Sequence, residues 1–282
     1  MIKRILVPLD PSPFTDTVIE IACERAKIFD AELTGLVVLD IPGIEDSIGP
    51  IPMGGLYYAE KIELAMKVEA SHRVEQLLEM FRRRCEDKGI AYREAHLQGC
   101  PSKQILKESI FYDIIFVGLR TYFNFETSQK PGESLWTIVK ESITPILGIP
   151  EKFAFSNDPD HKTKVLIAFD GSPLSARALQ RLVQLIKPET VQIILLNSSD
   201  DEKRGEYLLN QAEIYLKAHG IKEIIKEWTD EDIIHVVDET YYGRADMFVV
   251  GAHAHESLFD FMVGSLTKHL IEQAVKPVLI GQ

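Results

Sequence analysis

The residues best suited to chemistry lie near the end of the chain, in GAHAHESLFDFMVGS, residues 251–265. The segment starts where the apolar run VVG stops and ends where the helical pattern SLTKHLIEQAV begins. Gly251 permits a turn that a side chain would hinder. Gly264 and Ser265 stand at a helix start, where free backbone N–H groups and the helix dipole attract anions and a serine hydroxyl adds a donor. The chemistry suggested is phosphate binding. The same residues would also serve as an ordinary strand-to-helix loop with a glycine turn and a serine cap. His253 and His255 share one face of an extended segment, and His253 is placed to touch a phosphate. Two imidazoles do not make a metal site, so a solvated loop is the simpler reading of the pair. Cys100 opens another helical pattern with Pro101 suited to its first position, and is read as an inert thiol. Arg82, Arg83 and Arg84 lie among glutamates and are read as a solvated, ion-paired helix face.

Several reaction classes are set aside. The chain contains no G-x-x-x-x-G-K-[ST] loop, no G-x-G-x-x-G after a strand and no G-x-S-x-G elbow. No nucleophile, base and orienting group fall together in the pattern.

The elements that must position these residues occur twice. KRILVPLD (3–10) and TKVLIAFD (163–170) are apolar runs ending in an aspartate, each followed by Ser-Pro and a helical pattern. DIIFVG (113–118) matches DMFVVG (246–251), and ITPILGIP (143–150) matches VKPVLIGQ (275–282). This internal repeat predicts one architecture used twice. Residues 1–150 form the first domain, 151–163 a polar linker and 164–282 the second domain. Strands are expected near 3–9, 33–39, 91–97, 113–118 and 145–149, then near 164–169, 191–196, 222–228, 246–251 and 277–281. Helices are expected near 14–29, 59–88, 101–110 and 132–142, then near 173–186, 201–219, 230–242 and 263–274. Continuously apolar strands alternating with helices indicate an α/β fold with two doubly wound, Rossmann-like domains, each with a five-stranded parallel sheet. Ligands of such sheets bind at the carboxyl ends of the strands. The main asymmetry is residues 40–58, rich in Pro and Gly, which reads as a long surface or partner-contact loop, or as a lid.

With these motifs in place, the sequence resembles a tandem universal stress protein. Members open with a strand ending in Asp-x-Ser, here Asp10-Pro11-Ser12 and Asp170-Gly171-Ser172. Members that bind ATP carry G-x-x-G, nine residues, then G-S or G-T. Here Gly251 fits, Ala254 replaces the second glycine, residues 255–263 follow, and Gly264-Ser265 fit. The first half departs further: Thr121 replaces a glycine, ten residues instead of nine precede Gly132, and Glu133 precedes Ser134. The resemblance implies that Asp170 lies beside the adenosine end of a nucleotide. It also implies that Leu196 and Asn197 meet adenine through their backbone, and that Gly251, Ala254, Gly264 and Ser265 hold phosphates. In the first half the corresponding residues are Pro8, Asp10, Val38, Gly118, Arg120, Gly132 and Ser134. Asp10 and Asp170 have a second reading as caps of the following helices. The resemblance further implies ATP or another adenine nucleotide, with Mg2+ as a possible companion. It also implies an unidentified protein partner, packing of the two domains about a pseudo-two-fold axis through their last strands, and association of chains into a homodimer.

Composition bounds the alternatives. Apolar residues at 45% and charged residues at 26% suit a chain with a real core, which excludes wholesale disorder. The net charge of -12 lacks the positive field that phosphate backbones need, so nucleic acid is not expected as a partner. Three spaced cysteines point to a reducing compartment. No stretch is long and apolar enough for a membrane span, and the protein is read as cytoplasmic. Two functions follow. The first is a stress or signalling module that binds an adenine nucleotide, mainly in the second domain, without efficient turnover. The second is a scaffold of the stress response that binds no nucleotide.

Overall fold

In the first half, β1 (Arg4–Pro8), β2 (Glu32–Leu39), β3 (Tyr92–Gln98), β4 (Ile114–Gly118) and β5 (Ile146–Ile149) alternate with helices. These helices are α1 (Thr15–Phe29), α2 (Ile41–Ile48), α3 (Leu56–Lys88), α4 (Pro101–Ser109) and α5 (Glu133–Glu141). The second half repeats the order with β6 (Thr163–Ala168), β7 (Val191–Ser198), β8 (Ile224–Thr229), β9 (Met247–Gly251) and β10 (Val278–Gly281). Its helices are α6 (Pro173–Leu185), α7 (Glu202–Ala218), α8 (Ile233–Val236) and α9 (Ser265–Gln273). The computed structural model describes residues 2–48, 55–123, 132–156, 158, 161–252 and 264–282.

All ten strands form one sheet, in the order β3-β2-β1-β4-β5-β10-β9-β6-β7-β8. Pairing is parallel within each half and antiparallel at the β5–β10 junction, where Leu147 faces Leu279 and Gly148 faces Val278. Because the central strands are covered on both faces, their residues are almost all buried. One core cluster lies under α1, α3, α6 and α7, and a second under α4, α5 and α9. The edge strands β3 and β8 expose polar residues, which suits strands with one unpaired edge.

The repeated aspartate ahead of β4 and β9 has a positional role. Asp113 accepts hydrogen bonds from the Lys3 and Arg4 backbone N–H groups at 2.7 and 2.9 Å, and Asp246 accepts one from Lys164 at 2.9 Å. Each carboxylate therefore pins the start of the neighbouring strand and sets its register.

Two elements differ from the sequence expectation. Residues 40–58 are not simply a loop: 41–48 form α2, and α3 begins at Leu56. The Asp40 carboxylate accepts from the Gly43 N–H at 3.1 Å, and its carbonyl accepts from Ile44. Pro42 then falls in the first helical turn, where a missing N–H costs nothing. Residues 49–54 lie outside the described residues. The helix expected over 230–242 is split into α8 and a π turn at Val237–Tyr241. Tyr241 is buried there, with its hydroxyl on Glu227.

Candidate functional site

The second half carries a cleft of about 230 Å³ at the carboxyl ends of β6, β7 and β9. β6 has β7 on one side and β9 on the other, so the chain's winding reverses at β6. Ligand crevices of doubly wound sheets form at such switch points. One wall is Asp170 with Ser172 and Ser175, following β6. An apolar wall comes from Ala168, Leu196 and Ile233, and the far end from Gly251 with Gly264, Ser265 and Thr267.

The backbone here follows from close packing. A Cβ on Gly251 would come within 2.9 Å of the Leu174 carbonyl carbon and 3.0 Å of the Ser175 nitrogen, so only glycine lets β9 run this near α6. Thr267 Oγ1 donates to the Gly251 carbonyl at 2.7 Å, tying the first turn of α9 to the end of β9. Gly264 precedes that helix in an extended conformation and supplies no side-chain cap. The first-turn N–H groups of α9 have no intrahelical acceptors, and they open on the cleft through Ser265, Leu266 and Thr267.

Asp170 is exposed to the cleft. Partial burial raises its pKa, but the donors Ser175 and Ser172 outweigh that effect and hold the carboxyl below its ordinary value. It accepts from the Ser172 N–H at 2.9 Å, while the Ser172 hydroxyl accepts from the Ser175 N–H and caps α6. The helix cap is thus Ser172, and Asp170 retains acceptor capacity toward the cleft.

Of the residues singled out in the second half, Asp170, Leu196, Gly251, Gly264 and Ser265 line this cleft. Asn197 does not. Its amide donates to the Phe169 carbonyl at 2.7 Å, its oxygen accepts from Ser199, and the side chain lies against Gly205 of α7. Alternation along a strand explains this: Leu196 and Ser198 share the cleft side, and Asn197 points the other way. Ser198 was legible from that period but not singled out. Ser172 and Ser175 follow Asp170 in the helix-start pattern, while Ile233 and Thr267 carried no sequence signal. His253 and Ala254 lie outside the described residues.

The corresponding aspartate of the first half has a different setting among the described residues. Asp10 is 2% exposed. Its Oδ1 lies 2.8 Å from Ser12 Oγ and 2.6 Å from Thr15 Oγ1, and its Oδ2 accepts from the Tyr122 N–H at 2.8 Å. Thr121 donates as well; burial is nonetheless the largest effect, and the pKa is raised. Asp10 therefore braces the turn after β1 instead of capping α1, whose start at Phe14 has no side-chain cap. Thr121, Tyr122 and Phe123 are buried over it, and the Gly132 N–H donates to the Thr121 carbonyl at 3.2 Å. Pro8 and Val38 are buried at strand ends, and Gly118 is packed under Phe14. Ser134 lies in the first turn of α5, next to the exposed Glu133.

Arg120 reaches across to the second half. Its Nη2 donates to the Glu272 carbonyl at 2.5 Å and lies 3.4 Å from that of Gln273. A cation on the last carbonyls of α9 complements the negative end of the helix. Arg120→Ala is expected to lower stability by about 1 kcal/mol, read from the urea midpoint, with the second-half cleft unaffected.

Residues 1–121 match the model of the universal stress protein family. A universal stress protein of Synechocystis sp. is 25% identical over 173 residues, spanning 60% of this chain and 57% of that protein's length. A universal stress protein of Archaeoglobus fulgidus superposes with a TM-score of 0.70 at 20% identity, covering 99% of this chain and 98% of that one. A putative universal stress protein of Pseudomonas aeruginosa superposes with a TM-score of 0.56 at 14% identity, covering 99% and 92%. Both structural matches run through both halves, so the universal stress protein fold extends over the chain. No described helix is long and apolar enough to cross a membrane.

Proposed function

We propose that the second half binds ATP or a related adenine nucleotide, and that the chain acts as a nucleotide-loaded stress or signalling module. The observation that carries this reading is the open cleft at the switch point, with an accessible carboxylate at one end and a helix N-terminus at the other. Leu196 and Ile233 offer apolar surface for a base, Asp170 an acceptor for ribose hydroxyls, and the N–H groups of Ser265 and Leu266 donors for phosphate. Among the described residues, no three His, Cys, Asp or Glu side chains converge as a metal site, so Mg2+ would be held chiefly by the phosphates. The first half, with Asp10 saturated by its own neighbours, would instead stabilise the shared sheet and present surface to a protein partner.

The test is to denature the purified protein and analyse the released small molecules by mass spectrometry. About one adenine nucleotide per chain is expected, with slow or no hydrolysis of added ATP. Ala254→Gly should tighten ATP binding. An empty protein with no thermal shift in millimolar ATP would leave the nucleotide-free scaffold as the reading.

A further inference from the structure

The sequence spaces its cysteines widely, but the fold brings two of them together. Cys23 of α1 and Cys85 of α3 are 62 residues apart along the chain, and their sulfurs lie 3.9 Å from each other. Both thiols are free and fully buried. Helical period explains the placement. Cys23 shares the buried face of α1 with Ile19, Ala22 and Ala26, and Cys85 continues the buried row Val74, Leu77 and Phe81 of α3. Packing of these two faces sets one sulfur against the other. Cys100 is half-buried and has a serine oxygen, Ser102 Oγ, at 3.4 Å instead.

A single buried thiol packs as a small hydrophobe. Two in contact have a further route, because an approach of about 2 Å would bring them to the length of an S–S bond. Charged groups edge this pair. Glu20, one turn before Cys23, pairs with Arg84 and with Lys88, which flank Cys85 on α3. Arg84 also pairs with Asp16. These side chains are partly exposed, and such ion pairs hold only weakly, so this edge opens to a small oxidant at little cost. The bond from Cys85 holds the Cys23 thiol below its ordinary pKa, and Lys88 and Arg84 add to that against burial and Glu20. Cys85 is pushed up by its bond to Cys23 and by burial. Cys23 is therefore the better nucleophile of the two.

We propose that Cys23 and Cys85 form a reversible disulfide on exposure to a hydroperoxide, fastening α3 to α1. The Cys23 sulfur attacks one oxygen of hydrogen peroxide. An S–O bond forms, the O–O bond breaks, and the departing hydroxide takes up the Cys23 proton as water. The Cys85 sulfur then attacks the resulting sulfenic acid. The S–S bond forms, the S–O bond breaks, and the hydroxyl leaves with the Cys85 proton as a second water. Two electrons pass from the sulfurs to the peroxide. A dithiol reductant reverses the step by exchange. The closed loop spans β2, α2 and most of α3, so the bond restricts the unfolded chain and stabilises the folded one. Transient disulfides of this kind are those found in reducing compartments. The inference is independent of the nucleotide reading.

The test is to treat the full, folded chain with hydrogen peroxide, block the remaining thiols and map the peptides by mass spectrometry. A Cys23–Cys85 cross-link is expected, about 2 Da lighter than the two thiols, with Cys100 outside it. Dithiothreitol should return both thiols. The oxidised chain should unfold at a higher urea midpoint than the reduced one. In Cys23→Ala, Cys85 should stay reduced; should that variant fail to fold, the peptide map of the parent chain decides alone. The proposal is overturned if both thiols survive peroxide in the folded chain and react only in urea. It is equally overturned if they oxidise without cross-linking, if they link separate chains, or if the oxidised midpoint is no higher.

Discussion

Asp10→Ala is expected to lower the stability of the protein by about 3 kcal/mol and leave ATP affinity within twofold of the parent. The substitution removes the acceptor for Ser12, Thr15, Thr121 and the Tyr122 N–H at once, in a site closed to water. An orphaned buried donor costs roughly 1–3 kcal/mol, and partial relaxation keeps the total below the sum. Asp170→Ala is expected to behave in the opposite way. Its carboxylate is exposed, and water can take over the Ser172 N–H, so the stability loss should stay near 0.5 kcal/mol. Loss of an acceptor for ribose hydroxyls should weaken ATP at least tenfold. Urea denaturation and isothermal titration of both variants give the four numbers. Equal effects of the two substitutions on ATP affinity would rule out the assignment of different roles to the two halves.

Gly281→Val is expected to cost at least about 3 kcal/mol and to disrupt the junction between the halves. A Cβ at this position would lie 2.2 Å from Ala178 Cα and 2.5 Å from its nitrogen. The obstacle is helix backbone, so relief requires α6 to move off the sheet. Ala178 is itself fully buried, and the neighbouring strand β10 carries the antiparallel seam to β5. Gly148, on the other side of that seam, provides the control. Its added Cβ would clash with the side chain of Leu119, at 2.3 Å, while the nearest backbone atom, the Val278 carbonyl oxygen, lies at an ordinary 3.6 Å. Gly148→Ala should therefore cost about 1 kcal/mol. Thermal unfolding should show a large drop in Tm for the first variant and a small one for the second. Similar drops would show that the seam does not depend on the approach of α6.

These two results separate what composition and pattern could say from what packing added. The order of elements was legible because the repeat places matching apolar runs, aspartates and helix starts in both halves, and such runs must be buried on two faces. The carboxyl-end location of the cleft followed from the same order, since a doubly wound sheet opens where its winding reverses. Residues 40–58 were misread because their Pro and Gly content suggested a turn, while the Asp40 cap and the burial of Ile44 made α2 worthwhile. Ser198 was passed over because strand alternation was not applied to the side chains, which puts Leu196 and Ser198 on the cleft side and turns the Asn197 side chain away.

By itself, the sequence determined the α/β class, the doubling of the architecture and the helix start at Gly264-Ser265. Those properties depend on local periodicity and on residue types, which are visible along the chain. Only the tertiary structure decided that two aspartates in the same motif have opposite environments. Asp10 is roofed by Thr121 and Tyr122, more than 110 residues away, whereas Asp170 faces an open cleft. It also decided that Arg120 reaches the end of α9. Solvent access and long-range partners set these environments, and both are consequences of how distant segments pack.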